Sequence, residues 1–196
     1  MECLFGIQGK DFCLLAADTM VARSIVTMKH DEKKHRHLNP NCGLIYSGEA
    51  GDTVTLADYL QANISLYGLR NDGVELGPQA AASFCRRTLA DSLRSRSPYN
   101  VNLLVGGVDP VDKEGKLYWV DYLGSCVRVP FACHGYAGYF CMGLLDNQYK
   151  PNLSKDQALE LLKKCIQELK TRFVGNLPAF SVRIYNANGS IDDLKL

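Results

Sequence analysis

The order of predicted strands and helices along the chain is its most restrictive feature. Two short apolar runs flank a turn at Gly9-Lys10-Asp11, and they predict an antiparallel hairpin over residues 3–17. Further strands, two helices, more strands, two further helices and a last strand are predicted after it. Strands in hairpins and helices in pairs do not suggest a doubly wound parallel sheet. The order therefore predicts an α+β fold in which two antiparallel sheets stack face to face between helices, a four-layer αββα sandwich.

Short apolar runs bounded by turn residues locate the other strands. These are predicted at Ile25–Met28, Gly43–Ser47, Val101–Gly106, Lys116–Asp121, Cys126–Pro130 and Ala179–Tyr185. Apolar residues at helical spacing predict helices over residues 52–69, from 78 to 93, 136–145 and 154–173. The last begins at a capping box, in which Ser154 is followed three residues later by Gln157. Its apolar stripe then recurs at i, i+3, i+4 and i+7.

Composition limits the partners and the cellular setting of the chain. No Pro-rich linker, low-complexity stretch or convincing repeat occurs, so residues 1–196 are predicted to form a single domain. A net charge of +1 provides no basic field for nucleic acid. No apolar run approaches the about 20 residues that span a bilayer, so no membrane partner is predicted. Without a secretory signal, the eight cysteines are expected to be reduced, buried thiols.

Seven segments, in order and at matching spacing, resemble the proteasome beta-type subunit family over nearly the whole chain. They are L-A-A-D at 15–18, L-N-P at 38–40, S-G-E-A-G-D-T at 47–53, R-S-R-S-P-Y at 94–99, Y-W-V-D at 118–121, A-C-H-G-Y at 132–136 and G-L-L-D at 143–146. The resemblance implies the αββα sandwich of N-terminal nucleophile hydrolases, in agreement with the order of elements. It also implies a place in the 20S core, where intracellular proteins are degraded through the ubiquitin pathway.

The start of the sequence differs from that of active members of this family. Those members attack peptides with an N-terminal threonine, whose hydroxyl is the nucleophile and whose free amine is the nearby base. The matching place falls near Glu2, and no Gly-Thr junction occurs in the first 20 residues, so no propeptide is expected. A carboxylate cannot replace the attacking hydroxyl. The resemblance therefore implies a subunit that is catalytically inactive by itself, within a threonine-type endopeptidase complex.

Three supporting residues of the family's site are retained. The resemblance places the family's aspartate at Asp18, its lysine at Lys34 and its oxyanion-binding glycine at Gly48. Here we expect these vestigial residues to serve the structure, as an ion pair and a tight turn.

Other family positions are changed. The arginine that follows the aspartate by two positions is Met20, and the serine of the S-G-S loop falls on Tyr136. The late aspartate and serine fall near Phe173 and Asn176. With the nucleophile and much of its network replaced, no catalytic residue and no cofactor are predicted.

The resemblance implies neighbours on every side. The chain would fill one place in a beta ring of a four-ring barrel, between two beta subunits, an alpha ring and the opposite beta ring, in the cytoplasm and nucleus. Tyrosine is favoured at interfaces, so Tyr136, Tyr139 and Phe140 are the first predicted contact residues. The helix over 154–173 and the C-terminal residues 188–196 are further candidates.

Two rival hypotheses place a functional site on other residues of the chain. Loss of the first two residues would expose Cys3 as an N-terminal nucleophile, although a strand pattern predicts that its thiol is buried. A metal site could use His30, His35, His37 and Cys42, but the spacing is loose and His35 and His37 alternate as on a half-exposed strand. A buried, satisfied His134 is favoured over a general base, because no recognisable motif places a nucleophile beside it.

Overall fold

The computed structural model describes residues 2–24 and 26–196. Over these residues the chain forms twelve strands and four helices. The strands are β1 (Cys3–Gln8), β2 (Phe12–Asp18), β3 (Val21–Arg23), β4 (Val26–Lys29), β5 (His35–Asn39), β6 (Cys42–Gly48), β7 (Val101–Val108), β8 (Gly115–Val120), β9 (Cys126–Arg128), β10 (Phe131–Gly135), β11 (Phe180–Asn186) and β12 (Ile191–Lys195). The helices are α1 (Asp52–Arg70), α2 (Pro78–Ser92), α3 (Ala137–Gln148) and α4 (Lys155–Arg172).

Ten of these strands form two antiparallel sheets of five strands each. The N-terminal sheet has the order β10-β1-β2-β11-β12, and the second sheet has the order β5-β6-β7-β8-β9. Strands β3 and β4 form a separate two-stranded ribbon. The predicted mixed α+β class with antiparallel sheets is therefore confirmed. None of the helices in the described ranges is long and apolar enough to cross a membrane.

Three clusters of buried apolar side chains hold the sheets and helices together. In the first, one face of the N-terminal sheet packs on α3 and α4, with Phe5, Phe180 and Leu162 fully buried. The second joins the other sheet to α1 and α2. The third lies between the sheets and includes Leu15 and Leu117, which are also fully buried. The alternating side-chain directions of a strand explain how each sheet supplies two of these clusters.

The predicted local signals at the helix and strand ends are mostly confirmed. The N-terminal hairpin pairs Leu4 with Ala17 through Gln8 with Cys13. The capping box of α4 forms: the Gln157 N–H donates to Ser154 Oγ at 3.3 Å, and Gln157 Oε1 accepts the Ser154 N–H at 2.9 Å. The predicted strand at 25–28 corresponds to β4, although Ile25 lies outside the described residues.

Several boundaries and four of the strands differ from the sequence-based predictions. Helix α3 continues three residues beyond the predicted end at Leu145, and β9 ends at Arg128 instead of Pro130. Strands β3, β10 and β12 were not predicted, and β5 was indicated only by the alternation of His35 and His37. Strand β12 has the sequence I-D-D-L-K and is an edge strand with mostly exposed residues. The strand is regular because it pairs with β11. An exposed edge strand needs no alternation of apolar and polar residues, so its sequence gives no strand signal.

Replacement of Leu117 by alanine should destabilise the fold through the contact between the sheets. Removing a fully buried leucine costs about 2–5 kcal/mol of unfolding free energy, since the packed surroundings collapse only partly. Urea unfolding would measure the change. The matched control is Val111→Ala just before the same strand, where the side chain is 88% exposed and a change within about 0.5 kcal/mol is expected. Equal effects of the two substitutions would contradict the placement of Leu117.

Candidate active-site cleft

The structure brings the three retained family positions together at one end of the two sheets. Asp18 ends β2 in the N-terminal sheet, Lys34 immediately precedes β5, and Gly48 ends β6. Glu2, immediately before β1, joins them. These four residues are far apart in sequence and meet because β1 lies beside β2 while β5 lies beside β6.

A buried ion pair is the centre of this cleft. Lys34 Nζ lies 2.8 Å from Asp18 Oδ2, and the two side chains are 3% and 0% exposed. Asp18 also accepts the backbone N–H of Cys3 at 2.8 Å and that of Met20 at 3.1 Å. Lys34 donates a second hydrogen bond to the Met20 carbonyl at 2.9 Å. Both charges are thus hydrogen-bonded on several sides, as burial of an ion pair requires.

The Glu2 carboxylate faces the same lysine and the loop after β6. Its Oε2 accepts the backbone N–H of Gly48 at 2.8 Å, and its Oε1 lies 3.6 Å from Lys34 Nζ. The Glu2 carbonyl accepts the N–H of Tyr136 at 2.9 Å. Burial raises the pKa of Glu2 above its ordinary value, while the charge of Lys34 and the Gly48 N–H oppose that rise. From the sequence, Glu2 was identified only as the residue that stands in place of the family's nucleophile. Its contacts with Lys34, Gly48 and Tyr136 were not predicted.

Two glycines allow the backbone to approach this closely. Gly48 has a φ of 147°, and a Cβ there would lie 2.1 Å from the Asn100 carbonyl oxygen. Gly135 has a φ of 67°, and a Cβ there would lie 2.1 Å from the Glu2 carbonyl oxygen. A side chain at either position would displace backbone, so both glycines fix the walls of the cleft.

A cavity of about 330 Å³ adjoins the Glu2 carboxylate. Part of its wall is apolar, from Met20, Val21, Ala22 and Val54, and the polar part includes Lys34. The cavity is open to solvent next to Glu2, whose side chain is 28% exposed. A small molecule could therefore reach the carboxylate from outside.

Aromatic and apolar side chains stand at the changed family positions. The rings of Tyr136 and Phe173 lie 4.9 Å apart between centroids, and Phe140 packs edge-on against Phe173 at 5.9 Å. Met20 is buried in the core of the N-terminal sheet. Tyr136, Phe140 and Phe173 thus form an aromatic cluster at the predicted serine and aspartate positions, in which no residue has a carboxylate.

The rival nucleophile Cys3 is turned away from the cleft. Its side chain is fully buried in the cluster that includes Ala137 and Cys141. Burial, followed by the charge of Asp18, raises the pKa of the Cys3 thiol to about 12. A thiol with so high a pKa supplies almost no thiolate at neutral pH. The structure therefore disfavours Cys3 as a nucleophile.

The histidines of the metal hypothesis have other contacts. His35 Nε2 lies 3.0 Å from the Ser181 carbonyl oxygen, and His37 stacks on Tyr185 with centroids 6.4 Å apart. The Cys42 thiol is buried beside Asn39, while His30 is exposed. Across residues 2–24 and 26–196, no group of three or more His, Cys, Asp or Glu side chains is arranged to hold a metal ion.

His134 is a buried structural side chain. Its ring stacks on Trp119 at 5.0 Å between centroids, and its Nε2 lies 3.1 Å from the Leu103 carbonyl oxygen. Burial lowers the pKa of His134 to about 4. The ring is therefore neutral at physiological pH and bridges β10 to the second sheet, as predicted for a satisfied buried histidine.

Comparison with known proteins identifies relatives along almost the whole chain. A sequence profile described as "Proteasome subunit" matches residues 2–184. The chain is 47% identical to "Probable proteasome subunit beta type-4" of Neurospora crassa over 98% of this chain and 94% of the relative. It is 43% identical to "Proteasome subunit beta type-4" of Saccharomyces cerevisiae over 100% of this chain and 99% of the relative. It is 40% identical to "Proteasome subunit beta type-2-A" of Arabidopsis thaliana over 98% of this chain and 93% of the relative.

The sequence segments also predict one subunit type within the family. G-E-A-G-D-T at 48–53, R-S-R-S-P-Y at 94–99 and A-C-H-G-Y at 132–136 look closest to subunit beta-4, which is also named beta type-2. Relatives with the printed names beta type-4 and beta type-2 are both found. The prediction of the subunit type is confirmed.

Replacement of Lys34 by methionine should strongly destabilise the fold. The substitution removes the cation and leaves Asp18 as a buried charge, a change that typically costs about 3–5 kcal/mol of unfolding free energy. Urea unfolding at neutral pH would measure it. The control is Lys33→Met, since that neighbouring side chain is exposed and a change within about 0.5 kcal/mol is expected. A Lys34→Met chain as stable as the control would refute the structural role of the ion pair.

The buried His134 should make stability depend on acidic pH. Its folded pKa of about 4 lies below the ordinary value of about 6.5. Between these values the unfolded chain binds a proton that the folded chain does not bind, so the free energy of unfolding decreases as pH falls. Unfolding of the wild type and His134→Gln from pH 7 to pH 4 should show a shallower decrease in the variant. Identical slopes would contradict this assignment.

Proposed function

This chain belongs to the proteasome subunit family, and we propose that it is a non-catalytic beta-type subunit of the 20S core particle. In this proposal its work is structural: it completes the beta ring and helps to enclose the chamber in which catalytic neighbours cut proteins. The observation that carries the proposal is the Glu2 carboxylate, which lies beside Lys34 and on the Gly48 N–H where the family places its nucleophile and oxyanion.

The chemistry of these groups supports inactivity. Peptide cleavage in this family requires a hydroxyl beside a free amine and a backbone donor for the developing oxyanion. The Glu2 carboxylate already occupies the Gly48 donor, and the Lys34 ammonium forms hydrogen bonds with Asp18 and the Met20 carbonyl. The retained residues therefore support the structure of the cleft, and no cofactor is needed for that role.

The packing supports a finer description of the fold. The first apolar cluster covers the outer face of the N-terminal sheet, and the second covers the outer face of the other sheet. The third cluster lies between the two sheets. From this order we infer the four-layer αββα sandwich of N-terminal nucleophile hydrolases. We propose that residues 1–196 form a single domain of this kind.

An aromatic surface supports the proposed partners. Tyr139 is 86% exposed on α3, Tyr136 is also exposed beside it, and Phe140 is partly buried against Phe173. Exposed tyrosines next to a packed aromatic base are typical of protein interfaces. We propose that these residues contact other proteasome subunits, within a ring that also meets an alpha ring and the opposite beta ring, in the cytoplasm and nucleus.

Native mass measurement of the extracted protein tests this assembly. We expect a particle of roughly thirty times the chain mass of 21.7 kDa, far above an ordinary small oligomer. Tyr139→Ala should lower the yield of this particle, while the isolated chain keeps its free energy of unfolding, because the side chain is exposed. Tyr139→Phe is the matched control, since it keeps the ring and should assemble normally.

Two results would contradict the proposal. One is a wild-type chain that is only a monomer or dimer in extracts. The other is an isolated wild-type chain that hydrolyses a peptide and loses that activity when its first residue is blocked. Normal assembly of Tyr139→Ala would reject the aromatic surface as an interface and leave the family role unaffected.

A further inference from the structure

The groups around Glu2 form a small anion site. We propose that the cleft between Lys34 and Gly48 is a carboxylate-binding site, and that the side chain of Glu2 is its resident ligand. In this arrangement the chain occupies its own site, and external carboxylates or peptide carbonyls are excluded from it. The inference depends on the geometry of the cleft and holds independently of assembly into a proteasome.

The donors of the site are fixed by contacts that do not involve Glu2. Lys34 Nζ has three N–H groups, of which two are held by Asp18 at 2.8 Å and the Met20 carbonyl at 2.9 Å. The third remains for Glu2, whose Oε1 lies 3.6 Å away. The Gly48 N–H is positioned by the pairing of β6 with β7. The donor set should therefore persist when the Glu2 carboxylate is removed.

The charges favour a single carboxylate as the ligand. Hydrogen bonds from an ammonium group or a backbone N–H to a carboxylate are charge-assisted and stronger than bonds between neutral groups. Lys34 is only 3% exposed and is partly neutralised by Asp18, so the site suits one negative charge and disfavours a dianion. Glu32 also lines the cavity, and its carboxylate lies 3.1 Å from Lys29 Nζ on β4.

The adjoining cavity gives an external ligand a route and a place. About 330 Å³ is open beside the Glu2 side chain, with Val21, Ala22 and Val54 in its wall. A short aliphatic carboxylate would place its charged end on Gly48 and Lys34 and its alkyl end against these apolar side chains. Acetate is the smallest probe of this class.

The experiment is an acetate titration of the full-length chain with Glu2→Ala, followed through the Gly48 amide resonance by NMR. Sodium chloride replaces acetate at equal ionic strength in the reference series. Removing the carboxylate should raise amide exchange at Gly48 by about tenfold, as expected for loss of a hydrogen bond to a charged acceptor. Acetate should shift the resonance saturably and slow the exchange again. The wild type should show neither response.

A matched control comes from the next carboxylate on the same loop. Glu49 is exposed, and within the described ranges its side chain makes no hydrogen bond or ion pair with Gly48 or Lys34. Glu49→Ala should behave like the wild type, with Gly48 unresponsive to acetate. No response of Glu2→Ala to acetate, or an equal response in the wild type, would overturn the proposal.

A second measurement remains if Glu2→Ala does not fold. In the wild type, the Gly48 amide resonance should follow the titration of the Glu2 carboxyl with the same midpoint, since the two groups are bonded at 2.8 Å. The charges of Lys34 and Asp18 also act on the Glu2 carboxyl, and Glu32 lines the same cavity. Glu2→Gln should remove this pH response while Asp18 and Glu32 are retained. A Gly48 resonance that ignores the Glu2 titration would also overturn the proposal.

Discussion

The buried Lys34–Asp18 ion pair ties the N-terminal sheet to the loop that leads into the second sheet. Desolvation of two charges is costly, and the cost is offset here because Asp18 also accepts two backbone N–H groups and Lys34 also donates to the Met20 carbonyl. These contacts hold three segments in fixed positions relative to one another: the end of β2, the start of β1 and the segment before β5. The cleft, the setting of Glu2 and the approach of Gly48 all depend on that position.

The same ion pair belongs to a cleft that retains part of the family's catalytic site. Asp18, Lys34 and Gly48 retain geometry that would support an attacking group, but the side chain placed among them is a carboxylate. The carboxylate accepts hydrogen bonds and cannot act as the hydroxyl of the family mechanism. The carboxylate at this position does not leave the two donors unpaired, because Glu2 forms contacts of its own with Gly48 and Lys34.

Local sequence patterns predicted the N-terminal hairpin, the capping box of α4 and the mixed α+β class. They missed β3, β10 and β12 and indicated β5 only through the alternation of His35 and His37. Strand β12 is an exposed edge strand whose regularity comes from pairing with β11. For the cleft, the family resemblance indicated Asp18, Lys34 and Gly48, and the structure brings all three together. The contacts of Glu2 were not predicted, because a single charged residue ahead of a strand carries no periodic signal.

The sequence by itself determined the family, the helices, most of the strands and the presence of a carboxylate where active relatives have a hydroxyl. These properties depend on residue identity and on short periodic patterns, which can be recognised without knowing the contacts between distant residues. Only the tertiary structure decided that Glu2 faces Lys34 and Gly48 while the adjacent Cys3 is buried in the core. Successive side chains near a strand point to opposite sides, and which side becomes a cleft depends on how the ends of two separate sheets meet.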